Sequence, residues 1–166
     1  MSMKIPMIIC SSLLAFCSST PSFASEDTFD AHGTAVRYHF EDSDMDFTFG
    51  SLVLGAATNH GCEIGEAFYA ASQIKSGDAA SWQEQWLETA ERAQQRGERS
   101  LAGGHKTSAM EQFLRGSYYY RIALLGMLPD DERLQKTALS SRNMLRKAGK
   151  FFTPPLEYIQ IPFENT

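Results

Sequence analysis

Apolar side chains recur at intervals of three and four residues along most of the chain after residue 46, which is the spacing of amphipathic helices. The apolar stretch that begins at Phe47 predicts one short helix ending near Gly61. The same spacing over residues 63–75 predicts a second helix, which the Gly77-Asp78 turn ends.

Two capping signals predict where the next helices start. Ser81 with Glu84, and Ser108 with Glu111, each form the S-x-x-E pattern, in which each side chain can satisfy a backbone N–H group at a helix start. We therefore expect a third helix from Ser81 to about Arg99, and a fourth helix that starts near Ser108.

The fourth helix is expected to end around residues 126–129. Asp130 or Asp131 is then placed to cap a fifth helix, whose apolar spacing is unbroken. Pro154-Pro155 follows, and proline cannot continue a helix. The body of the chain is therefore predicted to contain about five helices.

Two segments outside these helices alternate apolar and polar residues, which is the pattern of a β-strand. They are residues 34–40 and residues 157–163, where Ile159, Ile161 and Phe163 would share one face. A strand at a chain end leaves backbone donors and acceptors unpaired unless a sheet receives it. We predict a mainly α fold, a five-helix bundle-like domain with a short terminal β-strand whose sheet lies in further sequence. Alternatively, the two segments pair as a ribbon that closes a self-contained periplasmic helical module, which would bind a ligand or interact with another protein.

The start of the chain has the pattern of a secretory signal peptide, residues 1–24. Lys4 precedes an apolar run over residues 5–16, and the Ser-Phe-Ala sequence at 22–24 offers small side chains to a signal peptidase. The apolar run is too short to span a bilayer, so no stable membrane anchor is expected. Export to the periplasm or the medium is the prediction.

The three cysteines limit the covalent chemistry of the chain. Lipoprotein modification of Cys17 is the alternative to simple cleavage, although the bulky Phe16 stands where a small residue is expected. After cleavage, Cys10 and Cys17 are lost and only Cys62 remains, so no internal disulfide is expected.

The composition suits one globular domain, because the chain has 166 residues and a hydrophobic content of 43%. Lys4 is the sole charged residue before residue 25, so its removal changes the net charge from −5 to −6. An acidic protein is a poor partner for nucleic acid or anionic lipid, and we expect neither to bind.

Three consecutive tyrosines, Tyr118, Tyr119 and Tyr120, lie in the predicted fourth helix. Successive residues advance by about 100° around a helix, so the three side chains cannot all point the same way. A tyrosine ring can line an apolar pocket while its hydroxyl orients a substrate. Packing in the core is the favoured interpretation, because aromatic stripes usually pack inside.

Four further residues are candidates for binding a substrate. Arg115 and Arg121 flank the tyrosines and could bind a carboxylate, but an ion pair of Arg115 with Glu111 is the favoured interpretation. Trp82 could stack on a ligand, although an architectural role is expected. His105 lies in a glycine-containing loop before a helix start, where it could approach an anion or simply face solvent.

A cluster of potential metal ligands lies between the first two predicted helices, and its members are His60, Cys62, Glu63 and Glu66. Their spacing matches no strong zinc pattern, so no metal site is predicted. Cys62 is instead expected to act as a small, partly buried hydrophobic residue. No cofactor is predicted.

Short blocks of residues carry a resemblance to a known family. The blocks are GCEIGE at 61–66, IKSGD at 74–78, SW at 81–82 with Trp86, Gly104 with SA at 108–109, LR at 114–115 with YYYR at 118–121 and Ala123, and IPFE at 161–164. In this order they resemble the N-terminal helical domain of α/β-hydrolases of the pseudooxynicotine-hydrolase and fermentation-respiration-switch type. Gly116 departs from the resemblance, because the family tends to have alanine there.

The resemblance implies that the helices precede and cover a catalytic α/β domain, whose first strand is similar to residues 159–164. Family members carry a nucleophilic serine in a G-x-S-x-G turn, followed by an acid and a histidine. This chain has no such pentapeptide: Gly116-Ser117 comes nearest, but Tyr119 stands where the second glycine is needed. No catalytic residue is assigned, and the chain alone is expected to be inactive.

The expected division of the chain is a signal peptide over 1–24, a leader with a short strand over 25–46, a helical lid over 47–153, and a linker with the first catalytic strand over 154–166. In the full-length enzyme, an exported serine hydrolase of esters, amides or C–C bonds, the lid would contact a small-molecule substrate. The pocket candidates are Tyr118, Tyr119, Arg115, Trp82 and His105. Apolar surface intended for the catalytic domain would favour a homodimer of this chain.

Overall fold

A computed structural model describes residues 36–162, so the predicted signal peptide, the first part of the leader and residues 163–166 lie outside the described residues. The prediction of a mainly α fold with five helices is confirmed within the described chain. None of the described helices is both long and apolar enough to cross a membrane. The elements are α1 Ser43–Thr48, a π-helical segment Phe49–Leu54, a 3-10 segment Gly55–Asn59, α2 Ile64–Ser72, α3 Ala79–Ala102, α4 Lys106–Ala123 and α5 Arg133–Gly149.

The first helical segment starts earlier and is less regular than predicted. Asp42 caps it, because Asp42 Oδ1 accepts a hydrogen bond from the Met45 N–H at 2.8 Å. The chain then passes through the π-helical and 3-10 segments and ends in a turn where His60 has a left-handed backbone, at φ 57°. A polar cap therefore determines the start of this segment, and the apolar stretch from Phe47 only continues it.

The predicted capping box at the start of the third helix is wrong. Asp78 is the N-cap of α3, and its Oδ1 accepts hydrogen bonds from the N–H groups of Ala80 at 3.0 Å and Ser81 at 3.2 Å. The Ser81 hydroxyl instead accepts a hydrogen bond from the Lys75 N–H at 3.0 Å and ties the preceding turn to the helix. An aspartate three residues earlier thus takes the capping role.

The starts of α4 and α5 differ from the prediction in opposite ways. α4 begins at Lys106, before Ser108, because a tight turn with Gly104 at φ 79° reverses the chain early and lets the His105 N–H donate to Ser100 O at 2.9 Å. α5 begins later than predicted, at Arg133, and its N-cap is Glu132, which makes no side-chain capping bond, rather than Asp130 or Asp131. Asp131 Oδ1 still accepts a hydrogen bond from the Arg133 N–H at 2.9 Å.

The core lies where α4 packs between α3 and α5. Trp86 of α3 and Tyr119 of α4 are fully buried, with ring centroids 5.7 Å apart. Trp82 lies next to Trp86, at 5.6 Å between centroids, and its indole N–H donates to Ile122 O at 3.1 Å. Trp82 is therefore architectural, as expected, because its polar atom is used to join α3 to α4.

Gly97 allows α3 and α4 to approach closely. A Cβ atom at Gly97 would lie 2.7 Å from two ring carbons of Phe113, which is fully buried. Gly116 on α4 is different, because a Cβ there would meet Met144 Cγ at 3.5 Å and Ala90 O at 3.7 Å, both ordinary contacts. Only the first glycine is required by packing.

We predict opposite effects for the two glycine-to-alanine substitutions. Gly97→Ala should lower the free energy of unfolding by about 1–3 kcal/mol, because the new methyl group overlaps the Phe113 ring. Gly116→Ala should raise it by about 0.5–1 kcal/mol through better helix propensity in a space that accepts the methyl group. Urea unfolding of both variants beside the parent chain measures the difference, and equal effects would contradict this packing.

The predicted strand over residues 34–40 does not form in its described part, residues 36–40. The Asp46 carboxylate accepts hydrogen bonds from the N–H groups of Tyr38, His39 and Phe40, at 3.0, 2.7 and 2.8 Å. A strand would need these donors for a ladder with a neighbour. One carboxylate thus holds the segment as a loop, and Phe40 packs between Phe49 and Trp82 in the core.

The charge of Asp46 is stabilised in the fold although the residue is buried. Burial would raise the pKa of Asp46, but the three N–H donors and the nearby charge of Arg37 outweigh burial and lower it below its ordinary value. The charged Asp46 carboxylate therefore stabilises the fold at pH values above its unfolded pKa of about 3.9. This contribution is lost as the pH falls through the lower pKa that Asp46 has in the folded protein.

Replacing Asp46 by asparagine tests this clamp. Asp46→Asn should lower the free energy of unfolding by about 1–3 kcal/mol at pH 7, because a neutral amide is a weaker acceptor for three donors. The deficit should shrink as the pH falls from 5 toward 2, since protonation removes the same charge from the parent chain. Thermal unfolding across this range measures both effects, and a deficit independent of pH would be evidence against the charge.

The terminal strand predicted over residues 157–163 is absent from its described part, residues 157–162. The Leu156 N–H donates to Gly149 O at 2.9 Å, and beyond this bond the described chain has no regular secondary structure. Ile159 and Ile161 are 80% and 82% exposed. No hydrogen bond joins this segment to residues 36–40, so the ribbon is not formed within the described chain.

Candidate functional site

The three consecutive tyrosines of α4 have three different environments. Tyr119 is fully buried, Tyr120 is also buried, and its hydroxyl donates to Gln94 Oε1 at 3.0 Å. Tyr118 is half-buried and lies in the wall of a surface cavity. The core interpretation therefore describes two of the tyrosines, and Tyr118 is the one that can reach a ligand.

The Tyr119 hydroxyl is the centre of a polar network that joins α2, α3 and α4. It donates to Glu66 Oε2 at 2.8 Å and accepts a hydrogen bond from the Glu63 N–H at 3.0 Å. Glu66 Oε1 is paired with Arg96 of α3, whose Nε donates to Gln112 Oε1 at 3.1 Å. The Tyr119 hydroxyl and both oxygens of the Glu66 carboxylate therefore have hydrogen-bond partners within the protein.

The electrostatics of the network oppose nucleophilic chemistry. Burial, together with the nearby Cys62 and Glu66, raises the pKa of Tyr119 above its ordinary value, so its hydroxyl stays protonated. Burial also raises the pKa of Cys62 to about 11, so at neutral pH it is a thiol and a weak nucleophile. The backbone N–H groups of Glu66 and Gly65 lower the pKa of Glu63. None of these groups is an activated nucleophile, so the role of the network is to join α2, α3 and α4.

The candidate metal ligands are used in other ways. Glu63 caps α2 by accepting a hydrogen bond from the Glu66 N–H at 2.7 Å, and Glu66 pairs with Arg96. Cys62 is buried, and its thiol donates to Glu63 O at 3.4 Å. Within residues 36–162, no group of three or more His, Cys, Asp or Glu side chains is arranged to hold a metal ion.

Removing the hydroxyl groups of Tyr119 and Tyr118 in separate variants distinguishes their roles in stability. Tyr119→Phe should lower the free energy of unfolding by about 1–3 kcal/mol, because the Glu63 N–H and Glu66 Oε2 both lose a partner. Tyr118→Phe is the matched control and should change it by less than about 0.5 kcal/mol, since its hydroxyl makes no hydrogen bond in the described chain. Equal losses in denaturant unfolding would refute the assignment of the network.

A cavity of about 370 Å³ opens between α4, α5 and the end of the 3-10 segment. α4 and α5 each contribute both apolar and polar residues to its wall. The lining residues are Asn59, Leu114, Ser117, Tyr118, Arg121, Ser141, Leu145 and Phe152. It is the candidate ligand site, because apolar surface meets a few convergent polar groups there.

The other sequence candidates lie away from this cavity's lining. Trp82 and Tyr119 are buried in the core, and His105 is exposed at the start of α4. Arg115 lies 4.0 Å from Glu111 Oε2, as the intrahelical interpretation expected, and its buried Nε has no hydrogen-bond partner in the described chain. Of the five pocket candidates, the structure brings only Tyr118 to the cavity.

Sequence reasoning missed most of the cavity wall. The apolar spacing of the predicted helices includes Leu114 and Leu145 but does not indicate a shared cavity, and Arg121 is predicted only as a neighbour of the tyrosines. Asn59 and Phe152 lie at the two ends of the helical domain in sequence, so no local spacing could have joined them. Only the packing of α4 against α5 brings them together.

The chain is similar to fungal hydrolases. It is 35% identical over 135 residues to Hydrolase ORFZ of Pyricularia oryzae, covering 78% of this chain and 32% of that protein. It is 34% identical over 129 residues to Alpha/beta hydrolase pydG of Acremonium sp, covering 77% and 30%. With 20-hydroxy-prefusarin hydrolase FUS2 of Gibberella moniliformis the identity is 32% over 122 residues, covering 72% and 29%.

About three quarters of this chain is therefore related to α/β-hydrolases. The chain spans about a third of the length of the curated relatives it matches. It matches no protein-family model.

Proposed function

We propose that this chain is the helical lid and substrate-pocket domain of an exported serine α/β-hydrolase that cleaves an ester, amide or C–C bond of a small molecule. The observation that carries the proposal is the similarity to hydrolases over most of this chain but only about a third of theirs. In this proposal the remaining length of those proteins holds the catalytic domain. The finer assignment to the pseudooxynicotine-hydrolase type rests on the residue blocks described above.

The chemistry of the described residues supports a lid that does not catalyse by itself. Ser117, in the sequence nearest to a nucleophile turn, lies in the middle of α4 and donates its hydroxyl hydrogen to Ser141 O at 2.9 Å. A nucleophilic serine needs a free hydroxyl beside a general base. The helices would instead exclude water and shape the pocket over groups that the catalytic domain supplies.

The segment after α5 supports a junction with such a domain. Ile159 and Ile161 are 80% and 82% exposed, although their spacing of two residues is that of one face of a half-buried strand. We infer that residues 157–163 pair as the first strand of the catalytic sheet. Without that sheet, the exposed apolar surface would favour a homodimer. The ribbon that the self-contained module needs is not formed within the described chain.

The sequence of the gene and an activity assay test the proposal together. The reading frame or a shifted frame beyond Thr166 should encode an α/β domain with a G-x-S-x-G turn. The purified chain should not hydrolyse a short-chain nitrophenyl ester above the buffer rate, whereas the product that includes the downstream domain should. Turnover by the chain alone that a serine-directed inhibitor abolishes would overturn the proposal, and so would a gene without the domain.

A further inference from the structure

The cavity between α4 and α5 combines apolar surface with positive charge. Leu114, Leu145 and Phe152 supply hydrocarbon, and among the lining residues that the structure describes, Arg121 is the only charged one. None of the described lining residues is acidic, although the whole chain has a net charge of −5. A ligand there meets uncompensated positive charge at one end of an apolar surface.

Some polar groups of the cavity are hydrogen-bonded within the protein, and others have no partner in the described chain. Ser117 and Ser141 satisfy each other, since each hydroxyl donates to the other residue's carbonyl oxygen, at 2.9 and 2.8 Å. The side chains of Asn59, Tyr118 and Arg121 form no hydrogen bond or ion pair within residues 36–162. Three donors therefore remain available at one cavity.

The backbone beside the cavity holds Tyr118 in place. Gly61 lies against the ring, and a Cβ atom there would be 2.4 Å from Tyr118 Cδ2. The preceding residue, His60, adopts the left-handed backbone, at φ 57°, and caps the C-terminal end of the 3-10 segment. The turn thus brings Asn59 and the Tyr118 ring to the same wall.

We propose that this cavity binds an amphipathic carboxylate, with its charged end on Arg121, Tyr118 and Asn59 and its hydrocarbon on Leu114, Leu145 and Phe152. At about 370 Å³, the cavity lies within the size range of small-ligand sites. An arginine and a neighbouring hydroxyl are suited to a carboxylate. The inference rests on the proposed function only for the ligand's role as substrate, because binding needs no catalytic domain.

Calorimetric titration of the full chain with octanoate and with octan-1-ol tests the site at pH 7. Octanoate is expected to bind at least about tenfold more tightly, since only the carboxylate engages the guanidinium. Arg121→Gln should remove this preference, and Arg121→Lys should restore part of it through charge alone. Arg99→Gln, which removes a charge from α3 outside the cavity lining, is the matched control and should leave both affinities unchanged.

Amide chemical shifts locate the bound octanoate. The shifts should change over residues 114–121 and 141–152. Equal binding of octanoate and octan-1-ol, no binding of either, or shifts confined to other helices would each overturn the inference. These results do not depend on the hydrolase proposal, which fails instead if the gene lacks a catalytic domain.

Discussion

The close approach of α3 and α4 is the constraint on which the rest of the structure depends. Gly97 leaves no side chain between the two helices, so the Phe113 ring occupies that space and the helix axes can lie close together. One helical turn and a half further along α4, Tyr119 then reaches the Trp86 ring. Because α4 also packs on α5, its position relative to α3 determines where the cavity forms.

Neighbouring tyrosines of α4 have different roles because the helix is buried on two sides. One tyrosine stabilises the fold from within the core, and the next is partly exposed to solvent. Tyr119 faces α2 and α3, where its hydroxyl is used up by Glu66 and the Glu63 N–H. Tyr118 points toward the cavity, and its hydroxyl is left without a partner in the described chain. A buried, satisfied network gives rigidity. That rigidity holds the backbone of α4 from which Tyr118 and Arg121 reach the cavity wall.

The sequence predicted the helices well because apolar periodicity reports a buried face directly. It misplaced helix starts because several polar residues competed for each cap, and Asp78 prevailed over Ser81. It predicted a strand at residues 34–40, which does not form over the described residues 36–40, because alternation cannot reveal that Asp46 takes the backbone donors. The cavity was largely unpredictable, since Asn59 and Phe152 meet only through tertiary packing.

The most direct test of the account is amide hydrogen exchange over residues 158–161, comparing the chain alone with the gene product that includes the downstream domain. The account predicts fast exchange in the chain alone, because these amides have no hydrogen-bond partner in the described chain, and strong protection once a catalytic sheet receives the segment. Protection already in the chain alone, or fast exchange in the longer product, would contradict the claim that these helices are joined to a hydrolase sheet.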